Sequence, residues 1–229
     1  MMLSFPPFTG IVRKIILATV AIFFALTLLR WIAPAVTLSV FAAGALTPAM
    51  VLHGAVWQVI TYSFLSGGIF QVVFDMLSLW FIGSYLENIY GTRWIAELYF
   101  ISVIGAALTT VAISYTHIFH MSPYATTYGA AGGIFGLMAA FGVLMGDQSF
   151  MLFPLPISIR AKYLVMIYML VALASIMQGP SGFMYLAYLG GALFGYIYVK
   201  QAPRRGYAFA ASERAYGLRN SYYRWKMWV

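Results

Sequence analysis

Residues 129–145 read GAAGGIFGLMAAFGVLM, with no charge and no proline. Gly132 and Gly136 form a G-x-x-x-G pair, the spacing that lets two membrane helices bring their backbones close together. A second stretch, FMYLAYLGGALFGYIYV at residues 183–199, places Gly190 beside another such pair, Gly191 and Gly195. Gly129 opens the first stretch and is counted with these packing glycines. The two patterns predict helices that cross at their glycines, which brings Ala131 near Tyr188. Phe135 follows Ala131 by four residues, so it lies on the same face one turn deeper. An aromatic pair of Phe135 with Tyr188 is expected there. The polar partner expected for the Tyr188 hydroxyl is Gln71 or Asp75.

Four more apolar runs stand upstream and between, at residues 15–29, 69–86, 94–113 and 163–177. A spanning helix takes about 20 apolar residues. Several runs fall at or below that length, as helices buried among neighbours or in a locally thinned bilayer do. The composition agrees: 63% of the 229 residues are hydrophobic and 8% charged, against about 25% charged in a soluble domain. This excludes a soluble cytosolic enzyme, a disordered chain and a nucleic-acid binder. There is no cysteine, so no disulfide, thiolate nucleophile or cysteine-held metal is available. No cofactor or metal is expected.

The fold class expected is an all-α membrane protein with six spans and both termini in the cytoplasm. Lysine and arginine give the sidedness. In that topology Arg13, Lys14, Arg93, Arg160, Lys162, Lys200 and the tail cations lie inside, and Arg30 alone lies outside, a strong positive-inside bias. Residues 1–14 form the inner N-terminus and 15–200 the membrane domain. Residues 201–229 form a basic, aromatic tail suited to anionic lipid. The segment 30–66 is apolar, but Pro34, Pro48, His53, Gly54 and Gln58 interrupt it, and its clean stretch 35–47 is too short to span. It reads as a structured outer loop; a seventh span is the alternative. Arg13-Lys14, the run 15–29 and Ala33-Pro34-Ala35 also have the outline of a cleavable signal peptide.

Polar groups inside the spans are few. Asp75 lies near the middle of the second span, one turn after Gln71 on the same face, and an intramembrane carboxyl is a candidate functional group. Glu87, Arg93 and Glu97 read as an ion cluster at the inner surface, with Arg93 and Glu97 at i,i+4. His53, His117 and His120 fall in outer loops, so no imidazole base lies within a span.

Several motifs together resemble the rhomboid intramembrane serine proteases. Trp57-Gln58 with Thr61 and Phe64 is similar to that family's approach to its second span. Glu87-x-x-x-Gly91-x-Arg93 is similar to the turn after it. Gly129-Ala130-Ala131-Gly132 aligns with the family's G-x-S-G, and Ala187-Tyr188-Leu189-Gly190-Gly191 with its A-H-x-G-G. The resemblance covers about residues 13–200. It implies a six-helix bundle, and it places Ala131 where the family has its nucleophilic serine and Tyr188 where it has its general-base histidine. Gln71 and Asp75 match the oxyanion donors of the second span, and Ser66 matches a further histidine before it.

Acyl transfer needs a nucleophile within reach of a base. Alanine has no oxygen to attack with, and a phenol is a poor proton acceptor at neutral pH. The resemblance therefore implies an inactive relative that binds transmembrane client proteins, in a membrane that the cysteine-free six-span core suggests is a bacterial inner membrane. Two alternatives stand beside it. One is an active serine endopeptidase drawing on Ser122, Thr126, Thr127 or Ser181 with a loop histidine. The other is a transporter or channel using Asp75.

Overall fold

The computed structural model describes residues 8–116, 122–147, 149–152, 157–176 and 182–201. The tail after 201, His117, His120 and Ser181 lie outside these residues. The chain folds as a helical bundle. Helix α1 (Gly10–Ile32) is followed by the short helices α2 (Pro34–Gly44), α3 (Pro48–Leu52) and α4 (Gln58–Thr61). The second long helix begins as α5 (Ile69–Ser78), widens into a π-helical turn (Leu79–Gly83) and ends as α6 (Ser84–Tyr90). Then come α7 (Thr92–Ser114), α8 (Ala131–Leu144), α9 (Ala161–Ile176) and α10 (Phe183–Gln201). The one departure from helix among the named elements is a two-stranded antiparallel ribbon, β1 (Ser149–Leu152) with β2 (Ile157–Arg160), joining α8 to α9.

Among the described residues, three helices are long and apolar enough to cross a membrane: Gly10–Ile32, Ile69–Tyr90 and Thr92–Ser114. Their outward faces are apolar too. Phe70 and Phe74 project from α5 and Leu28 from α1, exposed, on a scale that a water-facing surface rarely shows. Lipid is the environment that suits them. Helix α1 buries Val12, Ile15, Ile16 and Thr19, so it packs into the bundle.

The outer segment is helical, and α2 at 11 residues is about 16 Å long, too short for a seventh span. Its end explains the Trp57-Gln58-Thr61 motif. The last carbonyls of a helix lack intrahelical donors. Here the Trp57 indole N–H donates to Ala43 O (2.9 Å), the Gln58 amide to Ala42 O (3.3 Å) and Ala43 O (3.2 Å), and the Thr61 hydroxyl to Gly44 O (2.8 Å). Gln58 also accepts from Thr47 N (3.0 Å). Buried Gln58 thus serves as the C-cap of α2 and ties down the loop after it.

The expected ion cluster is divided. Arg93 pairs with Glu97 at 3.1 Å, and the Tyr198 hydroxyl donates to Glu97 at 2.8 Å. Glu87 is elsewhere engaged. It is buried and accepts from Ile11 N (2.7 Å) and Val12 N (3.2 Å), the first free amides of α1. The start of α1 carries no capping side chain of its own. Gly10, at φ 72°, turns the chain so that these amides meet Glu87, and a Cβ there would strike the Glu87 carboxylate.

Helices α8 and α10 meet at their glycines. A Cβ on Gly191 would fall on Gly132 O, and one on Gly195 would lie 2.6 Å from Gly136 O. A Cβ on Gly136 would strike the Ser102 hydroxyl of α7, and one on Gly190 would lie 2.6 Å from the Thr109 Cβ. Helix α10 is thus wedged between α7 and α8 with almost no side-chain layer.

Candidate functional site

The site is assembled where α8 begins. At 14 residues, α8 is about 21 Å long, shorter than the roughly 30 Å hydrocarbon core. The segment leading into it is non-helical, and several of its backbone groups are paired with protein. Leu46 and Thr127 exchange N–H···O bonds (2.9 and 2.8 Å), Ala49 N donates to Pro123 O (3.0 Å) and Gly129 N donates to Tyr62 O (2.9 Å). Non-helical backbone at membrane depth is tolerated only where protein encloses it in this way. Tyr62 fixes the corner twice, since its buried hydroxyl also donates to Val103 O of α7 (2.9 Å). No motif in the sequence marks Tyr62 for this role. Its signal is slight, a tyrosine next to the α2-capping Thr61.

Gly129 stands outside the contact between α8 and α10. It has φ 120°, a conformation that favours glycine, and a Cβ on it would lie 2.6 Å from Gln71 Nε2. The Gln71 carbonyl accepts from Gly67 N at 3.1 Å, so Gln71 spans from the turn before α5 to the turn before α8. One turn deeper, Asp75 directs its carboxyl at the Ala130 backbone, and its Oδ2 is buried without a hydrogen-bond partner.

Ala131 is buried at the first position of α8. On α10, Tyr188 is half-buried and stacks on Phe135, with ring centroids 5.0 Å apart and planes at 29°. Tyr185 meets Tyr188 edge-on at 5.2 Å. The expected aromatic pair is therefore present. The expected hydrogen bond from the Tyr188 hydroxyl to Gln71 or Asp75 does not form. Gln71 is held by the Gly67 turn, and the flat stacking on Phe135 fixes the Tyr188 ring instead.

This geometry alters what a substitution at Tyr188 should do. Tyr188→Phe removes a hydroxyl with no protein partner and should change stability by less than about 0.5 kcal/mol. Phe135→Ala removes the stacked ring and should destabilise by about 3 kcal/mol. Equilibrium unfolding in mixed micelles measures both. A large loss in Tyr188→Phe would show a partner for the hydroxyl.

Two of the other candidate hydroxyl residues sit in local turn and bridge structure. The Ser122 Oγ accepts from Tyr124 N at 3.2 Å, within its own turn. Thr127 is buried in the pairing with Leu46. Exposed His53 follows α3. Among the described residues, no group of three or more histidine, aspartate or glutamate residues is placed to hold a metal ion.

Comparison with known proteins gives relatives of one kind. The chain is 28% identical over 166 residues to Rhomboid-like protein 19 of Arabidopsis thaliana, covering 70% of this chain and 53% of that protein. It is 39% identical over 98 residues to RHOMBOID-like protein 1 of the same plant, covering 42% of this chain and 23% of that protein. It is 30% identical over 104 residues to Rhomboid protease GluP of Bacillus subtilis, covering 45% of this chain and 19% of that protein. This chain thus spans about half or less of the length of these relatives. With plant, bacterial and yeast mitochondrial proteins among its relatives, the comparison does not single out a bacterial inner membrane. The family model of the Rhomboid domain matches residues 53–203, a stretch that holds α4 to α10 and every residue of the candidate site except those that brace it from α2 and α3, and the chain belongs to the rhomboid family.

Proposed function

We propose that this integral membrane protein is a catalytically inactive rhomboid that binds transmembrane client proteins. In this reading the chain crosses the membrane six times, with both termini in the cytoplasm and the basic tail against anionic lipid. The observation that carries it is at the start of α8. Ala131 presents a methyl group where the family's motif has a hydroxyl, and the stacked rings of Phe135 and Tyr188 stand beside it. Without a nucleophile and base in contact, the covalent route has no first step. What the fold retains is the enclosed turn before α8 and the lipid-facing helices around it, a surface on which another helix can rest. Asp75, half-buried with its Oδ2 enclosed and without a hydrogen-bond partner, supports a second reading as an ion or proton site.

Purified protein is expected neither to cleave a transmembrane substrate above background nor to take up a fluorophosphonate label. Cleavage lost on Ser122→Ala would establish an active endopeptidase and overturn the proposal. Proton or ion flux in liposomes that Asp75→Asn abolishes would favour the second reading.

Restoring Ala131→Ser with Tyr188→His should leave cleavage about 10²–10³-fold below that of the quadruple change with Gln71→His and Asp75→Asn, the loss that follows removal of an oxyanion donor. Equal rates for the double and quadruple variants would show that Gln71 and Asp75 do not impair the site.

A further inference from the structure

A cavity of about 420 Å³ opens at the Arg30 end of the bundle, between the last turns of α1, helix α2 and the turn before α5. Its walls are of two kinds. Phe23, Leu26 and Leu38 give an apolar side, and Phe41 closes it edge-on against Tyr128 at 5.0 Å. The polar side carries Arg30 and Ser66. The hydroxyls of Thr27 and Thr37 also line it, but each donates to its own helix, to Phe23 O (2.8 Å) and Ala33 O (3.2 Å).

Three observations converge on an anion. The first is that, among the described residues, no carboxylate is placed to neutralise Arg30. Of the five in the chain, Glu213 is in the tail and Asp75 lies within α5. Glu87, Glu97 and Asp147 are engaged at the opposite end of the bundle, with the start of α1, with Arg93 and with Lys162. The second is that Ser66 is about nine-tenths buried and its hydroxyl has no hydrogen-bond partner. The third is that α2 begins at the rim with Pro34 at its first position and no side-chain cap. Its free amides and dipole favour negative charge there.

The surroundings say where the anion comes from. Trp31 and Ile32 are 89% and 82% exposed and flank Arg30 at the end of a membrane-spanning helix. Tryptophan and arginine at such an end mark the headgroup level of the bilayer. A ligand that is anionic at one end and apolar at the other matches both walls. A site with one cation and no described carboxylate favours a headgroup of net negative charge over a zwitterionic one.

We propose that this cavity binds the headgroup of an acidic phospholipid, its phosphodiester on Arg30 and Ser66 and its upper acyl carbons along Phe23, Leu26 and Leu38. The bound lipid would then lie beside Tyr128 and Gly67, against the turn that holds Gln71. The site is independent of whether the chain is catalytically active.

The test uses the full chain in nanodiscs of phosphatidylcholine with and without phosphatidylglycerol carrying a photoreactive headgroup. The label should attach to residues 23–41, and Arg30→Gln should lower that labelling about tenfold, the loss of one charge-assisted contact. Leu38→Glu, at an exposed position, sets a carboxylate against the headgroup and should lower it likewise. Labelling confined to the tail, or unchanged in Arg30→Gln, would overturn the proposal. Protection by inorganic phosphate alone, at concentrations comparable to the lipid, would make the cavity a simple anion site and also overturn it.

Discussion

Alanine at position 191 should leave the protein about 3 kcal/mol less stable, the upper range for overpacking and a large part of the 5–15 kcal/mol that holds a typical domain together. The added methyl group would fall on the carbonyl oxygen of Gly132, with the Gly132 Cα at 3.1 Å. Those are backbone atoms in the first turn of α8, so no rotamer change relieves the clash. The two helices must separate, and Phe135 and Tyr188, which stack across the same contact, must separate with them. Gly142→Ala provides the control, because the atoms nearest its methyl group would be those of the Val165 side chain at 3.2–3.3 Å. It should cost less than about 1 kcal/mol. Unfolding in mixed micelles compares the two, and equal losses would mean that the glycine contact is not tight.

Glu87→Ala should destabilise by about 3 kcal/mol, because two amides at the start of α1, one buried and one part-buried, lose a charged acceptor together. Glu87→Gln keeps one acceptor oxygen and should lose about 1 kcal/mol. Arg93→Ala removes an exposed partner of Glu97 and should change stability by less than about 0.5 kcal/mol. The order of these three variants discriminates between a cap and an ion cluster. If Arg93→Ala were the most damaging, the charges would act as a cluster after all. Loss of α1 order in Glu87→Ala, read by hydrogen exchange at Ile11 and Val12, would locate the effect.

What the sequence made legible follows from the range of each interaction. Apolar runs and glycine spacing are properties of single helices, so the bundle and the contact of Gly132 and Gly136 with Gly191 and Gly195 could be anticipated. The stacking of Phe135 on Tyr188 followed from the same contact and a four-residue step. Glu87 groups with Arg93 and Glu97 along the sequence, whereas its partners, Ile11 and Val12, lie 76 and 75 positions away. Trp57-Gln58-Thr61 was visible as a motif, but its purpose depends on where α2 stops. The hydrogen bond expected at Tyr188 failed for a comparable reason. The turn at Gly67 supplies Gln71 with a backbone donor, and a backbone turn of that kind is not written in residue spacing.

The enclosed turn before α8 also bears on the order of assembly. Thr127 is held by Leu46, and Gly129 by Tyr62, so each bond closes a loop that contains all of α7. Contacts between residues so distant in the chain form slowly, because the intervening segment must be brought round first. The long helices can take their places in the membrane before this happens. The beginning of α8 cannot, since its backbone has no partners until the segment from Leu46 to Tyr62 has settled. The site is therefore expected to order last in the bundle, and mutations that loosen α2 or its Gln58 cap should erase it while leaving the membrane helices in place, as hydrogen exchange at Thr127 and Gly129 would show.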